Sequence, residues 1–447
     1  MTSDEADRAE VAIVGGGFSG TMVAAQLARR GISSILIEGA GRLGQGIAYA
    51  TDDPAHVLNV RAEVMSAWPE DLDDFARLIE AEGGSAKDFP ERRRFGRYLD
   101  SILGRAIELG FVAPAEAIAA RAARDDGGWV IGLDSGDSVR ASALVLAIGN
   151  QEPPPMAVAE GISAERFINN PWGAEVRMAD QRLAGSAKSV LLLGTGLTAV
   201  DHILSLDASG HRGRIVAVSR RGQLPRGHVP YEPLPVDVDD VPMGNVLELW
   251  RWLRKLAGQG NWRAAVDALR PHSSAIWQSF SEAEQHRFMR HARPWWDVHR
   301  HRIATAVAQR MKELIGSGQL EILAGRVRSM RETEVGVEVE IARRGRETSD
   351  TQMFDTIVNC TGPLGAMART ANPIVKQMLG DGLVEIDRLG IGLQVDARDR
   401  AGDGVWALGP MTKGRYWEII AVPDIRVQAA AVAADIATEL GGHGVQP

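Results

Sequence analysis

The sequence contains only one cysteine, Cys360, among its 447 residues. A single cysteine cannot form an intramolecular disulfide, which excludes both a disulfide framework and a redox dithiol within one chain. No apolar run approaches the length needed to span a bilayer, and the N-terminus is acidic and polar, unlike a signal peptide. We therefore expect a cytoplasmic protein that has no membrane partner.

An excess of positive charge is also missing. The chain has 50 lysines and arginines against 58 aspartates and glutamates, which gives a net charge of −8. Binding along a nucleic acid needs a basic surface, so we expect no nucleic-acid partner. The hydrophobic fraction of 45% is that of a globular protein, and the length indicates two or three domains.

The clearest motif that is present is a glycine-rich turn near the N-terminus, between an apolar strand and a helix. Gly15 would permit a tight turn, Gly17 would let a pyrophosphate approach the backbone, and Gly20 would let the helix pack closely on the strand. Glu38 ends the next strand, where a carboxylate accepts the hydroxyls of a ribose. Because the glycines, both strands, the helix and the acid are in register, we predict a dinucleotide-binding site.

A second copy of this pattern follows an apolar strand at Gly194, Gly196 and Ala199. Alanine is tolerated at the third position because only packing of helix on strand depends on it. No carboxylate ends the next strand; Arg220 and Arg221 stand there instead. Guanidinium groups form paired hydrogen bonds with a 2′-phosphate, so this site is predicted to prefer NADPH. The alternative is that both arginines are merely solvated.

Each copy continues into alternating segments typical of a small antiparallel meander and then into a closing strand, which ends at Gly149 or Gly362. The repeat predicts an α/β fold with two Rossmann-like dinucleotide-binding domains and an inserted helical subdomain. The insertion splits the second copy.

The insertion is rich in tryptophan, and these side chains either line a substrate cavity or form a simple core. The tryptophans concerned are Trp250, Trp252, Trp262, Trp277, Trp295 and Trp296. Within the turn from His299 to Arg302, the two histidines would point roughly 200° apart on a helix, so they cannot share a metal ion by themselves. We expect no metal site, and interpret this turn as a solvated or phosphate-facing basic turn.

These pieces together resemble the flavoproteins with two dinucleotide-binding domains, in which FAD occupies the first domain and NADPH the second. More narrowly, five segments are similar to a bacterial family of FAD/NAD(P)-binding proteins whose activity is largely unassigned: Gly46–Tyr49, Leu58–Val60, Phe95–Leu99, Trp296–Arg302 and Trp417–Pro423. The resemblance implies FAD at Gly15, Gly17, Gly20, Glu38 and Gly409, and a nicotinamide nucleotide at Gly194, Gly196 and Arg220. The other predicted cofactor-binding residues are Phe18, Ser19, Arg42, Gly46, Gly149, Thr198, Arg221 and Gly362.

The predicted domain boundaries follow from the internal repeat and the insertion that interrupts it. The FAD-binding domain is expected over 1–155 and 355–447, the NADPH-binding domain over 180–225 and 311–354, and the helical insertion, as a lid over the substrate, over 240–310. The sequence leaves open whether the chain forms a homo-oligomer.

Among the activities of this superfamily, disulfide reduction is excluded by the missing dithiol, and simple oxidases need no second nucleotide site. Flavin monooxygenases of the N-hydroxylating and Baeyer-Villiger types carry two fingerprints, and Gly194–Ala199 is similar to their second one. They also have a histidine-containing aromatic motif before that fingerprint, whereas this chain has Phe167–Gly173, which contains no histidine. The resemblance still favours an NADPH-dependent FAD monooxygenase that oxygenates a small polar substrate, such as an amine, with O₂ through a flavin hydroperoxide.

Two alternatives remain at this stage. One is an NADPH dehydrogenase that passes electrons through FAD to a quinone or a protein acceptor, and the other is a nucleotide sensor without turnover. The predicted catalytic residues are Asn59, Arg61, Trp417 and Glu418, because polar groups lie there beside aromatic residues, close in sequence to both FAD-binding segments. A closing helix from Ile425 to Leu440 would point its positive N-terminal end at a reduced flavin.

Overall fold

The computed structural model describes residues 8–39, 41 and 43–441. Its strands are β1 (Arg8–Val14), β2 (Ser34–Ile37), β3 (Val112–Ala115), β4 (Ala119–Asp125), β5 (Gly128–Leu133), β6 (Ser138–Leu146), β7 (Phe167–Ile168), β8 (Val190–Leu193), β9 (Ile215–Ser219), β10 (Leu320–Thr333), β11 (Gly336–Arg343), β12 (Ser349–Phe354), β13 (Thr356–Asn359), β14 (Arg400–Gly402) and β15 (Val405–Ala407). Its helices are α1 (Phe18–Ala28), α2 (Gly46–Tyr49), α3 (Asp74–Ala81), α4 (Arg92–Glu108), α5 (Ala174–Leu183), α6 (Leu197–Ala208), α7 (Val246–Gly258), α8 (Trp262–Ala268), α9 (Ser273–Ser279), α10 (Glu282–Arg287), α11 (Arg293–Arg300), α12 (Thr305–Gly316), α13 (Pro373–Gly380), α14 (Lys413–Tyr416) and α15 (Val422–Glu439).

The first sheet has the order β14-β15-β6-β1-β2-β3, and β15, β6, β1, β2 and β3 run parallel. One face is covered by α1, α4 and α15, and the other by α13 and the meander of β4 and β5. Since parallel strands end at one edge, the residues after β15, β6, β1 and β2 share the edge where α/β sheets bind ligands. We call this unit the first domain.

The second sheet has the order β12-β11-β10-β9-β8-β13-β7, with a parallel core from β10 to β7 and an antiparallel extension of β11 and β12. One face packs on α5, α6 and α12. We call this unit the second domain. The predicted α/β fold with two dinucleotide-binding domains is thereby confirmed.

Three elements lie outside the predicted domain boundaries. β13, which the boundary at 355 assigned to the first domain, pairs with β8 and β7 in the second sheet. β7 precedes the predicted start of the second domain at 180. α12 begins inside the predicted insertion, but its apolar side chains pack in the core of the second domain. These elements belong to the second domain because its sheet needs a closing strand and a helix that covers its face. The helical insertion separates them in sequence but not in space.

The helical insertion comprises α7 to α11, with a π-helical turn at Phe288–Ala292 before α11. Its core contains Trp277 and Trp296 and also receives Trp417 from the first domain, which anchors the insertion there. Among the helices of the described part of the chain, none combines the length and apolar character needed to cross a membrane.

Candidate functional site

The glycines of the first fingerprint divide into two kinds. Gly15 has φ +107°, and a Cβ there would lie 2.5 Å from the carbonyl oxygen of Ala147. A Cβ on Gly20 would lie 1.9 Å from the carbonyl oxygen of Gly15, so the chain itself requires both glycines. Gly17, in contrast, is in ordinary extended backbone, and its Cβ would meet only the Cα of Gly46, at 3.5 Å. The open space beside Gly17 is what a bound pyrophosphate needs.

We call the glycine turn and the first turn of α1 the first glycine cradle. Glu38 and the loop after β2 lie at its end, where the adenosine of a dinucleotide would bind. Glu38 Oε2 accepts a hydrogen bond of 2.8 Å from the backbone N–H of Gly16. The carbonyl of Gly16 accepts one of 2.8 Å from Gly44 N–H, and Gly46 has φ +57° and lies against Gly17. The predicted cofactor residue Arg42 lies outside the described residues. The carboxylate and loop fit a dinucleotide that runs across the first turn of α1.

Loops after β6 and β15 reach the same place. Gly149 and Gly409 both have positive φ, +74° and +67°. A Cβ on Gly409 would lie 2.6 Å from Ser19 Oγ, in the first turn of α1. Phe18, in that turn, is buried and lies 6.1 Å from the ring of Phe95. The predicted FAD-binding residues of the first domain that the structure describes therefore lie together, at the edge of the first sheet where β1, β2, β6 and β15 end.

The second fingerprint repeats this division of glycines. Gly194 has φ +127°, and its Cβ would lie 2.2 Å from the carbonyl oxygen of Cys360, after β13. Gly196 caps α6 in extended backbone, and a Cβ there would meet no described atom within 4 Å. Thr198 is half-buried in the first turn of α6, and Gly362 follows β13 with φ +99°. Both fingerprints thus leave open space at the central glycine.

The two arginines after β9 differ in their surroundings. Arg220 is exposed, and none of the ion pairs among the described residues includes it. The guanidinium of Arg221 lies 5.5 Å above the ring of Trp295, on α11 of the insertion. Arg220 is therefore the freer of the two for a 2′-phosphate, and the preference for NADPH stays a prediction.

The first pair of predicted catalytic residues lies in the loop before α3. The carbonyl of Asn59 accepts a hydrogen bond of 2.8 Å from Nε2 of His228, in the loop that follows β9. Burial lowers the pKa of His228 to about 4, so this imidazole is neutral near pH 7. Arg61 forms a half-exposed ion pair of 3.6 Å with Glu63. The first domain thus touches the second domain at Asn59, and a catalytic role for these residues remains a prediction.

The second pair, Trp417 and Glu418, joins the first domain to the insertion. Trp417 has φ +54° and stacks on Trp277 with ring centroids 4.9 Å apart. Glu418 is buried; its Oε1 accepts a hydrogen bond of 2.8 Å from Trp296 Nε1, and its Oε2 lies 3.1 Å from Arg300 Nε. Packing accounts for both side chains, so their predicted catalytic role gains no support from these contacts.

The aromatic core of the insertion leaves a partly open cavity of only about 40 Å³, lined by Trp250, Trp277 and Trp296 among others. Ligand pockets usually measure roughly 300 to 1,000 Å³. This volume holds water but no organic substrate. Of the two interpretations of the tryptophans, the structure favours the core, although Trp295 is 39% exposed.

Sequence reasoning missed a lysine at the nucleotide edge of the first sheet. Lys413 begins α14 shortly after Gly409, and its Nζ donates a hydrogen bond of 2.9 Å to Asn150 Oδ1, the residue after Gly149. Desolvation lowers the pKa of Lys413 to about 8, and the nearby charge of Arg293 adds to the effect. The position of both residues just beyond glycine-terminated strands was a usable signal.

It also missed the buried ion pair that joins the domains. Both terminal nitrogens of Arg92, at the start of α4, donate to the carboxylate of Asp201 on α6, at 2.8 and 2.9 Å. Their side chains are 10% and 8% exposed. No local pattern marks this contact, because the partners lie 109 residues apart.

Cys360 is a buried free cysteine, and burial raises the pKa of its thiol above the ordinary value. It is therefore an unreactive thiol at neutral pH. Within the described ranges, the structure shows no group of three metal-ligating side chains that could hold an ion.

Comparison with known proteins agrees with this geometry. Residues 12–151 match the sequence family described as FAD-NAD(P)-binding. A Baeyer-Villiger monooxygenase, ATR8, of Stachybotrys chlorohalonatus is 26% identical over 212 residues, 45% of this chain and 32% of its own length. A ferredoxin–NADP reductase of Acidiphilium cryptum is 27% identical over 217 residues, 47% of this chain and 53% of its own length. The chain thus spans only about a third to a half of these curated relatives.

Among solved structures, L-lysine 6-monooxygenase from Pseudomonas syringae superposes with a TM-score of 0.67, at 16% identity, over 96% of this chain and 99% of its own. At such low identity, the likeness shows a shared fold. Residues 12–151 are thus similar to FAD-NAD(P)-binding domains, and the chain as a whole has the fold of two-domain FAD/NAD(P) flavoproteins.

Proposed function

We propose that this flavoprotein is an NADPH-dependent FAD monooxygenase that oxygenates a small molecule with O₂. The observation that carries the proposal is the pair of open glycine cradles, at Gly17 and Gly196, in a chain whose only thiol is buried. Two cradles suit a flavin that is reduced by a nicotinamide nucleotide. The electrons then need an acceptor other than a protein dithiol, and O₂ is the acceptor we favour.

The single buried thiol disfavours a disulfide reductase, and two of the similarities support a monooxygenase. One curated relative is a Baeyer-Villiger monooxygenase, and the shared fold with a lysine monooxygenase extends through the helical insertion. The finer proposal is a small polar substrate, such as an amine. It is supported by the name of that lysine monooxygenase, whose substrate is an amine.

Residues of this chain would bind the two cofactors and supply a proton. When bound, FAD supplies hydride acceptance from NADPH and activation of O₂. The amides at the start of α1 and α6 bind the two pyrophosphates, Glu38 orients a ribose, and Arg220 holds the 2′-phosphate. Lys413 Nζ carries a proton beside Asn150 and can donate it at the edge where β6 and β15 end.

The test uses the FAD-loaded protein. It is reduced anaerobically with NADPH and then exposed to O₂ with members of a panel of amines and other small polar molecules. A substrate should accelerate NADPH consumption, lower the hydrogen peroxide released per NADPH, and gain one oxygen atom. A panel of apolar ketones and sulfides, matched in size, serves as the control for the amine proposal.

A second candidate, an NADPH dehydrogenase, is favoured by the similarity to a ferredoxin–NADP reductase. It predicts that the reduced protein reacts slowly with O₂ but quickly with an added quinone or ferredoxin. That outcome would replace the monooxygenase proposal. A protein that binds both nucleotides but is never reduced by NADPH would be a sensor.

A further inference from the structure

The basic turn His299–Arg302 is not a solvated turn at its arginines. Arg300 is buried against Glu418, and the side chain of Arg302 is only 4% exposed. Nη2 of Arg302 donates to Oδ1 and Oδ2 of Asp267, on α8, both at 2.5 Å. Of the two interpretations of this turn, solvated or anion-facing, burial removes the first for these two residues.

Arg302 has more donors than Asp267 uses. Its Nε and Nη1 atoms are buried and have no hydrogen-bond partner among the described residues. A buried cation that leaves donors unpaired costs free energy, so native proteins rarely leave such groups without a ligand or water. The planar fork of a guanidinium matches the paired oxygens of a carboxylate or phosphate.

Further positive charge surrounds this group. Arg263 lies nearby, and its Nε and Nη2 donate to the carbonyl of Gly227 at 3.1 and 2.9 Å. Burial lowers the pKa of Arg263, and the charges of Arg302 and Arg226 lower it further. Asp267, the carboxylate paired with Arg302, also accepts a hydrogen bond from the hydroxyl of Tyr231. Positive charge therefore exceeds negative charge among these residues, although the whole chain is acidic.

The cluster lies where three parts of the molecule meet. The backbone of Arg226 donates a hydrogen bond of 2.9 Å to Val298 on α11 and accepts one of 3.0 Å from Ile303. Two residues further on, His228 contacts the carbonyl of Asn59 in the first domain. The loop that carries Arg226 is the same loop that begins with Arg220 after β9. A ligand held by the cluster would therefore lie between the two nucleotide-binding domains and the insertion.

We propose that Arg302, Arg263 and Arg226 form an oxyanion site, which takes a carboxylate or phosphate group of a ligand bound at this junction. Three guanidinium groups against one carboxylate favour an anion over a bridging water. Binding of an anion at this site does not depend on whether the enzyme is a monooxygenase or a dehydrogenase.

The experiment measures thermal unfolding of the FAD-loaded protein against the concentration of inorganic phosphate, with sodium chloride at equal ionic strength as the control. We expect a saturable rise in melting temperature with phosphate only. Arg302→Lys keeps the charge but loses the fork, and should weaken phosphate binding about 10-fold or more. Asp267→Asn removes the competing carboxylate and should strengthen binding.

Two further variants keep the test decisive if Arg302→Lys does not fold. Arg226→Gln changes an exposed side chain and should weaken binding even if the Arg302 variant fails to fold. Arg331→Gln, which changes an exposed arginine paired with Glu338 on the β10–β11 hairpin, should bind phosphate like the wild type. Wild type that gains no more stability from phosphate than from chloride, or Arg226→Gln that binds as tightly as wild type, would overturn the site.

Competition then identifies the source of the anion. If 2′,5′-ADP displaces phosphate and loses affinity in Arg226→Gln, the site holds a phosphate of the nucleotide. If acetate displaces phosphate while 2′,5′-ADP does not, the site holds a carboxylate of the substrate. Both outcomes support an oxyanion site, and failure of both anions to compete with phosphate would contradict it.

Discussion

At the scale of single residues, the central glycines of the two fingerprints separate ligand binding from folding. Gly15, Gly20 and Gly194 cannot carry a Cβ without a steric clash with backbone atoms, whereas Gly17 and Gly196 can. Their extended backbone is allowed for any residue, so a side chain at Gly17 or Gly196 would extend into the space of the ligand. These two positions therefore provide matched tests of the two cofactor sites.

We expect Gly17→Leu to fold but to lose FAD, because the leucine side chain would occupy the place of the pyrophosphate. Gly196→Leu should keep FAD and lose affinity for NADPH, so each variant is the control for the other. FAD content is measured by absorbance and NADPH affinity by titration. Stoichiometric FAD in Gly17→Leu would show that the cofactor is placed wrongly.

Arg220 decides the choice of nucleotide in our interpretation. Charged hydrogen bonds contribute about 1.5 to 3 kcal/mol, so Arg220→Ala should raise KM for NADPH about 10-fold to 150-fold and leave NADH nearly unaffected. Arg221 already lies above Trp295, so Arg221→Ala alone should have the smaller effect. The double substitution should abolish the preference. The measurement is kcat/KM with both nucleotides, and a wild type that prefers NADH contradicts the assignment.

Lys413 should give the stability of the protein a distinct pH dependence. In the folded protein the pKa of Lys413 is about 8, below its ordinary value, so between about pH 8 and 10.4 the unfolded chain binds the proton and the folded chain does not. The free energy of unfolding of the wild type should therefore rise with pH across this window, relative to Lys413→Met. Lys312→Met, which removes an exposed lysine on α12, is the control. Urea unfolding at several pH values measures the difference, and parallel curves for wild type and Lys413→Met would refute it.

At the scale of elements, the short helix α14 and the turn after it attach the insertion to the first domain. Trp277 Nε1 donates a hydrogen bond of 2.9 Å to the carbonyl of Gly414, and Trp277 also stacks on Trp417. Phe288 meets the ring of Trp417 edge to face, at 5.2 Å. This stack lies at the junction of the two units, so the orientation of the insertion depends on it.

We expect Trp417→Ala to lower the free energy of unfolding by about 2 to 4 kcal/mol, because it removes a stacked aromatic from a largely buried cluster. Trp417→Phe keeps the stack and should lose much less. The flavin absorbance should not change in either variant if the residue acts through packing. A changed flavin spectrum in Trp417→Phe, with unchanged stability, would instead support the predicted position of Trp417 beside the flavin.

At the scale of the whole molecule, the buried pair Arg92–Asp201 fixes one nucleotide-binding domain against the other. Arg92 begins α4, which packs beside α1 of the first fingerprint, and Asp201 lies on α6 of the second. Around this pair, Ser205 bridges to Asp53 and His56 of the first domain. The network holds the two cofactor sites in one relative orientation.

Breaking the pair should cost about 3 to 5 kcal/mol in Arg92→Met or Asp201→Leu alone, because each leaves a buried charge unpaired. The double variant removes both charges and should recover most of that loss. If the pair also positions the domains, hydride transfer from NADPH should be slower in the double variant than in the wild type, even though stability is recovered. Anaerobic stopped flow measures this rate. Single variants that lose less than about 1 kcal/mol would show that the pair is not buried in solution.

Much of the fold could be read from local sequence. Both fingerprints, both meanders and the approximate position of α15 agree with their predictions, because each depends on periodicity or on glycine chemistry within a few tens of residues. The boundaries failed at β13 and α12, since the sequence carries no local mark of which sheet an apolar strand joins or which core a helix covers. The tryptophans were left undecided for the same reason.

By itself, therefore, the sequence determined that two dinucleotide-binding units are present and that no dithiol chemistry occurs within the chain. Glycine spacing, strand ends and cysteine count are local properties that need no knowledge of distant contacts. Only the tertiary structure decided that Lys413 donates a hydrogen bond to Asn150 and that Arg92 pairs with Asp201. It also decided that Arg302 is buried with two donor nitrogens that have no partner among the described residues. These contacts join residues far apart in the chain, and their chemistry arises from burial and surrounding charge, which depend on the folded arrangement of all three units.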